Sequence, residues 1–181
     1  FAELGKMLGM SKAGIFKYYK NKQELFIAVV DKFWFSTQNP RNKFTETNGT
    51  FAEFIDEYVR GVQRTMDMLG DLIGAEREKV AQGKFTYHAQ YFHFLFQLLQ
   101  YDPDAKEKLR NLVDGDYAYW RAAIQRAIAT GELREDVDVE DAVVMFRQVY
   151  MGLSFEMAFM GGLNTQRLAK HLHAVYSLLK R

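Results

Sequence analysis

From Gln23 onward the apolar residues recur at spacings of three and four, and nowhere do valine and isoleucine alternate with polar residues as a half-buried strand requires. Only two prolines interrupt the 181 residues, so the expected class is all-α. A chain of this length can bury roughly 70% of its unfolded surface, enough for one substantial core with a small domain attached. The helix that begins at Asn21 is expected to run to about Ser36, with Leu25, Phe26, Val29, Val30 and Phe33 as one stripe. Residues 38–50, with Asn39-Pro40 and Asn48-Gly49, read as a loop. This divides the chain into an N-terminal module (1–36) and a helical body (37–181). In the body the spacing predicts helices over 51–69, 72–80 and 85–101, the last buried nearly all round, with Thr86, His88, Gln90 and His93 making it too polar to span a membrane. Asp102-Pro103 reads as an N-cap and a proline at the first helical position, launching a helix to about Thr130 that ends at Gly131. Asp138 and Asp141 open a helix to Met160, closed by Gly161-Gly162, and Asn164 opens the last.

Residues 1–25 carry the densest local pattern. Ala2, Leu4, Met7 and Leu8 fall on one face of a short helix, and Gly9 stands where a left-handed residue ends one. Ser11 is a good N-cap for a second helix over 12–19. There Ile15, Phe16 and Tyr19 can pack inward, while Lys12, Ala13, Gly14, Lys17 and Tyr18 face out. That outward set is small at the start and basic beyond it, as approach to base edges and flanking phosphates requires. Asn21 and Glu24 form a capping-box pair, and Lys22 beside that helix N-terminus makes a phosphate site. Five lysines (6, 12, 17, 20, 22) against Glu3 and Glu24 give this segment a net charge of +3 in a chain of +1 overall. Basic charge is thus concentrated where the two short helices are.

The run Gly9-Met10-Ser11-Lys12-Ala13-Gly14-Ile15-Phe16-Lys17-Tyr18-Tyr19-Lys20-Asn21-Lys22-Gln23-Glu24-Leu25 resembles the signature of the TetR family of bacterial transcriptional regulators. The resemblance implies a helix-turn-helix in which Lys12, Ala13 and Lys17 face bases while Phe16, Tyr18 and Lys22 touch the DNA backbone. Gly14 and Phe16 stand where the family usually has threonine and tyrosine, which removes two hydroxyls able to bond phosphate. Gly14 also lowers helix propensity by about 1 kcal/mol relative to alanine, though it permits close approach to DNA. The family's first helix, which braces these two, is absent from this sequence, so Leu4, Leu8 and Ile15 are expected to lack part of their packing. Residues 127–138 resemble the loop before the penultimate helix of many such regulators.

A paired reader of DNA needs a two-fold axis that sets recognition helices about 34–36 Å apart. The last two helices are expected to supply it as a four-helix bundle, through Val149, Leu153, Met157 and Met160 on one and Leu168, Leu172, Val175 and Leu179 on the other. Gly152 and Ala158 would permit close helix approach. Fifteen phenylalanines, ten tyrosines and eight methionines exceed what a small core needs, so a cavity for a small, largely apolar effector is expected. Its candidate lining is Phe54, Tyr58, Met66, His88, Phe92, Phe96 and Trp120, with Glu156 as a carboxylate for a cationic group. Each aromatic also reads as plain core, and Glu156 as an ordinary ion pair.

Catalysis finds little footing. There is no cysteine, no Glu-x-x-His pair of helices, no phosphate-cradling loop and no nucleophile elbow, and His171 and His173 point to different sides of a helix. No catalytic residue, metal or cofactor is expected. Cysteine-free composition and the lack of a signal or spanning segment fit a cytoplasmic protein. The expected function is a homodimeric repressor, released from a palindromic operator on double-stranded DNA by a small effector. The alternative is a helical ligand-binding or protein-interaction module whose DNA-binding half is degenerate.

Overall fold

Capping side chains open most of the helices. The computed structural model describes residues 2–44, 49–72 and 87–181, and for Lys12, Asp71, Leu72 and residues 87–90 the backbone alone. Ser11 Oγ accepts the Gly14 N–H at 3.0 Å to start α2 (Lys12–Phe16), and Asn21 Oδ1 accepts the Glu24 N–H at 2.8 Å to start α3 (22–38). Between α1 (Ala2–Leu8) and α2, Gly9 adopts φ 64°. The Met10 N–H then reaches back to the Gly5 carbonyl at 2.8 Å, closing the turn with a Schellman-type bond. The second helix is shorter than the spacing predicts. It ends at Phe16 because the Tyr18 N–H tightens onto the Ile15 carbonyl at 3.0 Å, and Phe16, read as inward-facing, is 40% exposed.

α3 runs as one rod in three segments, an α-helix (Lys22–Val29), a π-helical turn (Val30–Phe35) and a last α-turn (Ser36–Gln38). The segment read as a loop holds a short helix, α4 (Pro40–Lys43), opened by Asn39. The body follows as α5 (Phe51–Leu72), α6 (Tyr87–Tyr101), α7 (Ala105–Ala129), α8 (Val139–Ala158) and α9 (Thr165–Leu179). The helix expected over 72–80 lies almost wholly outside the described residues. Among the described residues there is no strand, and an isolated antiparallel bridge pairs Leu133 with Lys180. No described helix is long and apolar enough to cross a membrane.

One helix start and the burial of one helix differ from expectation. Asp102 does not cap α7. Its buried carboxylate accepts the Asp104 N–H at 3.0 Å and the Lys108 ammonium at 2.8 Å, making an Asx-type turn that delays the helix to Ala105. Nor is α6 buried all round, since Phe96 is 64% exposed and Leu99 and Tyr101 also reach solvent.

Trp120 centres the main core, stacked on Phe146 at 4.8 Å and met edge-on by Tyr58 and Phe54. Each such fully buried ring contributes roughly 1.5–3 kcal/mol. α5 packs on α9 and α4, and α8 on α7, α9 and α6. Glu132 knits three elements together, accepting the Phe51 and Ala52 N–H groups at 2.7 and 3.3 Å and the Tyr176 hydroxyl at 2.9 Å. A second cluster of Val30, Trp34, Leu98 and Ala105 joins α3 to α6 and α7.

The face assigned to a partner on α8 and α9 is largely core. Leu153, Leu168, Leu172 and Ala158 are buried within the protomer, and Val149, Val175 and Leu179 pack against them. Exposed apolar side chains lie elsewhere on these helices, at Val144, Met145 and Phe155 of α8 and Leu178 of α9, and past the end of α8 at Phe159 and Met160. Gly152 of α8 borders open space.

Candidate functional site

A cavity of ≈ 230 Å³ lies where the α3 rod meets the body. Trp34 and Gln38 from α3, Lys43 from α4, Tyr91, Phe92 and Phe96 from α6, Asp116 from α7, and Arg147 and Met151 from α8 line it. A smaller space of ≈ 30 Å³ shares Gln38, Tyr91 and Met151 and adds Thr65, Met66 and Ser154. The walls are mostly apolar, with a few buried polar groups converging, as in small-molecule sites generally.

Glycines bring the charged side chains there. A Cβ on Gly61 would overlap the Lys43 carbonyl oxygen, so only glycine in α5 lets the α4 backbone lie against it, and Lys43 ends up 4% exposed. Gly115 does the same for the Pro40 ring, whose Cγ would sit 2.8 Å from an added Cβ, and Asp116 is the next residue. Lys43 Nζ lies 5.5 Å over the Tyr150 ring. Arg147 Nε is 3.4 Å from Asp116 Oδ2, and both side chains are buried. The pairing is incomplete, since Arg147 Nε and Nη1, Asp116 Oδ1, Trp34 Nε1 and Ser154 Oγ make no hydrogen bond among the described residues. Burial of the hydroxyl end pushes the Tyr91 phenol well above its usual range, so it stays a neutral donor.

Of the residues expected in an effector site, Phe92 and Phe96 line the cavity and Met66 the smaller space. Phe54, Tyr58 and Trp120 are in the solid core instead, where each packs against the other two or their neighbours. The His88 side chain lies outside the description. Glu156 is exposed, 3.9 Å from Arg167, and lines neither space. Sequence reasoning missed Gln38, Lys43, Tyr91, Asp116 and Arg147. Arg147 had a signal, because it falls on the inward stripe of α8 with Val143, Phe146, Tyr150 and Ser154, where a charge has to be paired.

At the other end, Ala13, Lys17, Tyr18 and Lys22 are exposed, Tyr18 at 70%, and Gly14 is half-buried. Lys6 and Lys20 are exposed as well, so four cations surround the turn. The Lys12 side chain lies outside the description. Gln23 Nε2 donates to the Tyr101 carbonyl at 2.6 Å, and Asp31 meets Lys108 at 2.8 Å, so α3 is tied to the body at both ends of α6 and α7 that face it.

Among the described residues no three acidic or histidine side chains gather as metal ligands. Comparison with curated proteins and with solved structures finds no match. Residues 52–173 match the family described as tetracyclin repressor-like, C-terminal domain. That span begins just inside α5 and takes in every helix that walls the cavity except α3 and α4. The chain therefore belongs to this all-helical family of non-catalytic regulatory domains.

Proposed function

We propose that the chain is a DNA-binding transcriptional regulator of TetR type, dimeric through α8 and α9 and released from its operator by a small molecule that enters the cavity. The observation that carries this reading is the composition of the cavity wall, in which α3, the helix that opens beside the basic turn, stands with Trp34 and Gln38 against Tyr91, Asp116 and Arg147 of the body. An occupant there touches the one rod that leads to residues 12–22. If it prefers the non-binding arrangement by about 2.7–4.1 kcal/mol, the DNA-binding equilibrium shifts roughly a hundred- to a thousandfold.

In this reading α1 and α2 form the helix-turn-helix. Lys12, Ala13 and Lys17 approach bases, with Gly14 allowing close contact, and Phe16, Tyr18 and Lys22 approach the backbone. The partner face is the exposed apolar set of Val144, Met145, Phe155 and Leu178. Residues 1–36 then act as the reading module and 37–181 as the effector and dimer domain.

Gel-shift titration over several salt concentrations tests it, because phosphate neutralisation imposes a steep fall of affinity with salt. Lys17→Ala is expected to weaken operator binding. Lys12→Ala should also change sequence preference. Binding indifferent to both substitutions, or no binding at low salt, would overturn the assignment and leave a helical ligand-binding module.

A further inference from the structure

Among the described residues the cavity wall is not charge-balanced. Lys43 and Arg147 are both buried, at 4% and 9% exposure, and both line it, whereas Asp116 is the acid among its lining residues. One carboxylate cannot serve two buried cations, and it serves Arg147 poorly, at 3.4 Å with no hydrogen bond formed. The unpartnered groups on this wall are mainly donors, Arg147 Nε and Nη1 and Trp34 Nε1, against the acceptor Asp116 Oδ1. A guanidinium held out of water with open N–H groups is a strong and costly site unless an oxyanion completes it.

We propose that the effector is an amphipathic organic anion, an apolar body of one or two rings lying against Phe92, Phe96 and Met151 with a carboxylate seated on Arg147 and neutralised jointly by Lys43. The size fits, since ≈ 230 Å³ falls below the roughly 300–1,000 Å³ of drug-sized pockets. Cationic effectors are disfavoured by the same count, and Glu156 cannot recruit one because it lies in solvent beside Arg167. This inference rests on the reading that the cavity is the effector site, and it adds the chemistry of the occupant.

Three probes with one ring system separate the possibilities: 2-naphthoate, 2-naphthamide and 2-naphthylmethylammonium, titrated calorimetrically into the whole chain at pH 7.5. The carboxylate is expected to bind roughly ten- to a hundredfold tighter than the amide, the advantage of a charge-assisted over a neutral contact. The ammonium should bind weakest. Arg147→Met should erase the advantage of the carboxylate and leave the affinity of the amide as in the parent. Because that change strands Asp116, the double variant Asp116→Asn/Arg147→Met, which removes both charges, and Lys43→Met provide folded alternatives. Equal affinity for amide and carboxylate, preference for the ammonium, an undiminished carboxylate advantage in the double variant, or no binding by any probe would each overturn the proposal. The two readings fail separately. If naphthamide binds as well as naphthoate and displaces DNA, the effector cavity stands and the anion does not. If naphthoate binds through Arg147 but no DNA is ever bound, the anion stands and the regulator does not.

Discussion

Gly61 shows how one absent side chain places a charge. The Lys43 carbonyl occupies the volume its Cβ would need, so Gly61→Ala has to push α4 off α5 and take Lys43 out of its burial over Tyr150. The expected loss is about 1–3 kcal/mol of stability in denaturant unfolding, the usual cost of overpacking, together with weaker binding of an anionic probe. Unchanged stability would mean that the α4 backbone yields freely. Tyr58 supports a prediction with pH. Burial, then Tyr150 and Asp116, hold its phenol well above its ordinary value of 10.0. A group whose folded pKa is raised contributes stability that is fully present below the unfolded value and is lost as pH climbs toward the folded one. The thermal midpoint should therefore fall as pH rises above about 10, and Tyr58→Phe should blunt that fall. At pH 7 the same substitution should be nearly neutral, since the hydroxyl has no partner to lose. At this scale the sequence was only partly legible. Phe92 and Phe96 line the cavity and Met66 the smaller space, but the same aromatic spacing puts Phe54, Tyr58 and Trp120 in solid core. Periodicity says which face is buried; whether that face meets atoms or space is decided by other helices. Arg147 was the more telling sign, a charge where the stripe demands none.

Helix ends were easier to read than helix interiors. Ser11, Asn21, Asp138 and Asn164 all accept the expected N–H three residues on, because a cap needs only local chain. Thr50 and Glu53 form a reciprocal capping box at α5 with the same local logic, unread in a segment expected to be loop. The π-turn from Val30 to Phe35 had no such signal, because it is set by how α3 must lie on α6 and α7, with Trp34 turned into the second cluster. π-turns inside α-helices are frequent at functional sites, and this one carries Trp34 of the cavity wall on the rod that leads back to the basic turn. Lys108 pins it by bridging Asp31 of the turn to Asp102. The two halves of that bridge differ in environment, Asp102 being 2% exposed and Asp31 43%. Asp31→Asn should therefore cost at most about 1 kcal/mol, as for exposed pairs. Lys108→Met strands the Asp102 carboxylate and should cost about 1–3 kcal/mol. Chemical denaturation of both variants checks the order, and a larger loss for Asp31→Asn would show that the turn, not Asp102, depends on the lysine.

Across the whole molecule the cavity wall and the proposed partner face are in contact. Phe92 lines the cavity and meets Phe155 edge-on at 5.2 Å, and Phe155 meets Phe159 at the same distance on the exposed side of α8. The all-α class was legible because periodicity runs through the chain, yet the residues expected to face a partner lie about a third of a turn from the apolar side chains that are exposed. A stripe of Leu153, Leu168 and Leu172 serves a monomer core as well as a dimer, and only burial separates the two. What remains exposed is unusual for a protomer alone, with Phe155 at 48%, Phe159 at 70%, Met160 at 72% and Leu178 at 66%. A stable pairing buries about 1,200–2,000 Å² in total, which two such helices from each of two protomers can supply. Phe155→Glu combined with Leu178→Glu places four like charges in that bundle while replacing side chains that leave the protomer core intact. Sedimentation equilibrium should give a dimer for the parent and a folded monomer for the variant. Operator affinity should fall with it, because a single protomer offers one five-residue helix and half the phosphate contacts. A variant that stays dimeric would move the two-fold axis off α8 and α9. One that becomes monomeric yet keeps the parent's affinity and salt slope would show that the N-terminal helices read DNA without a twin.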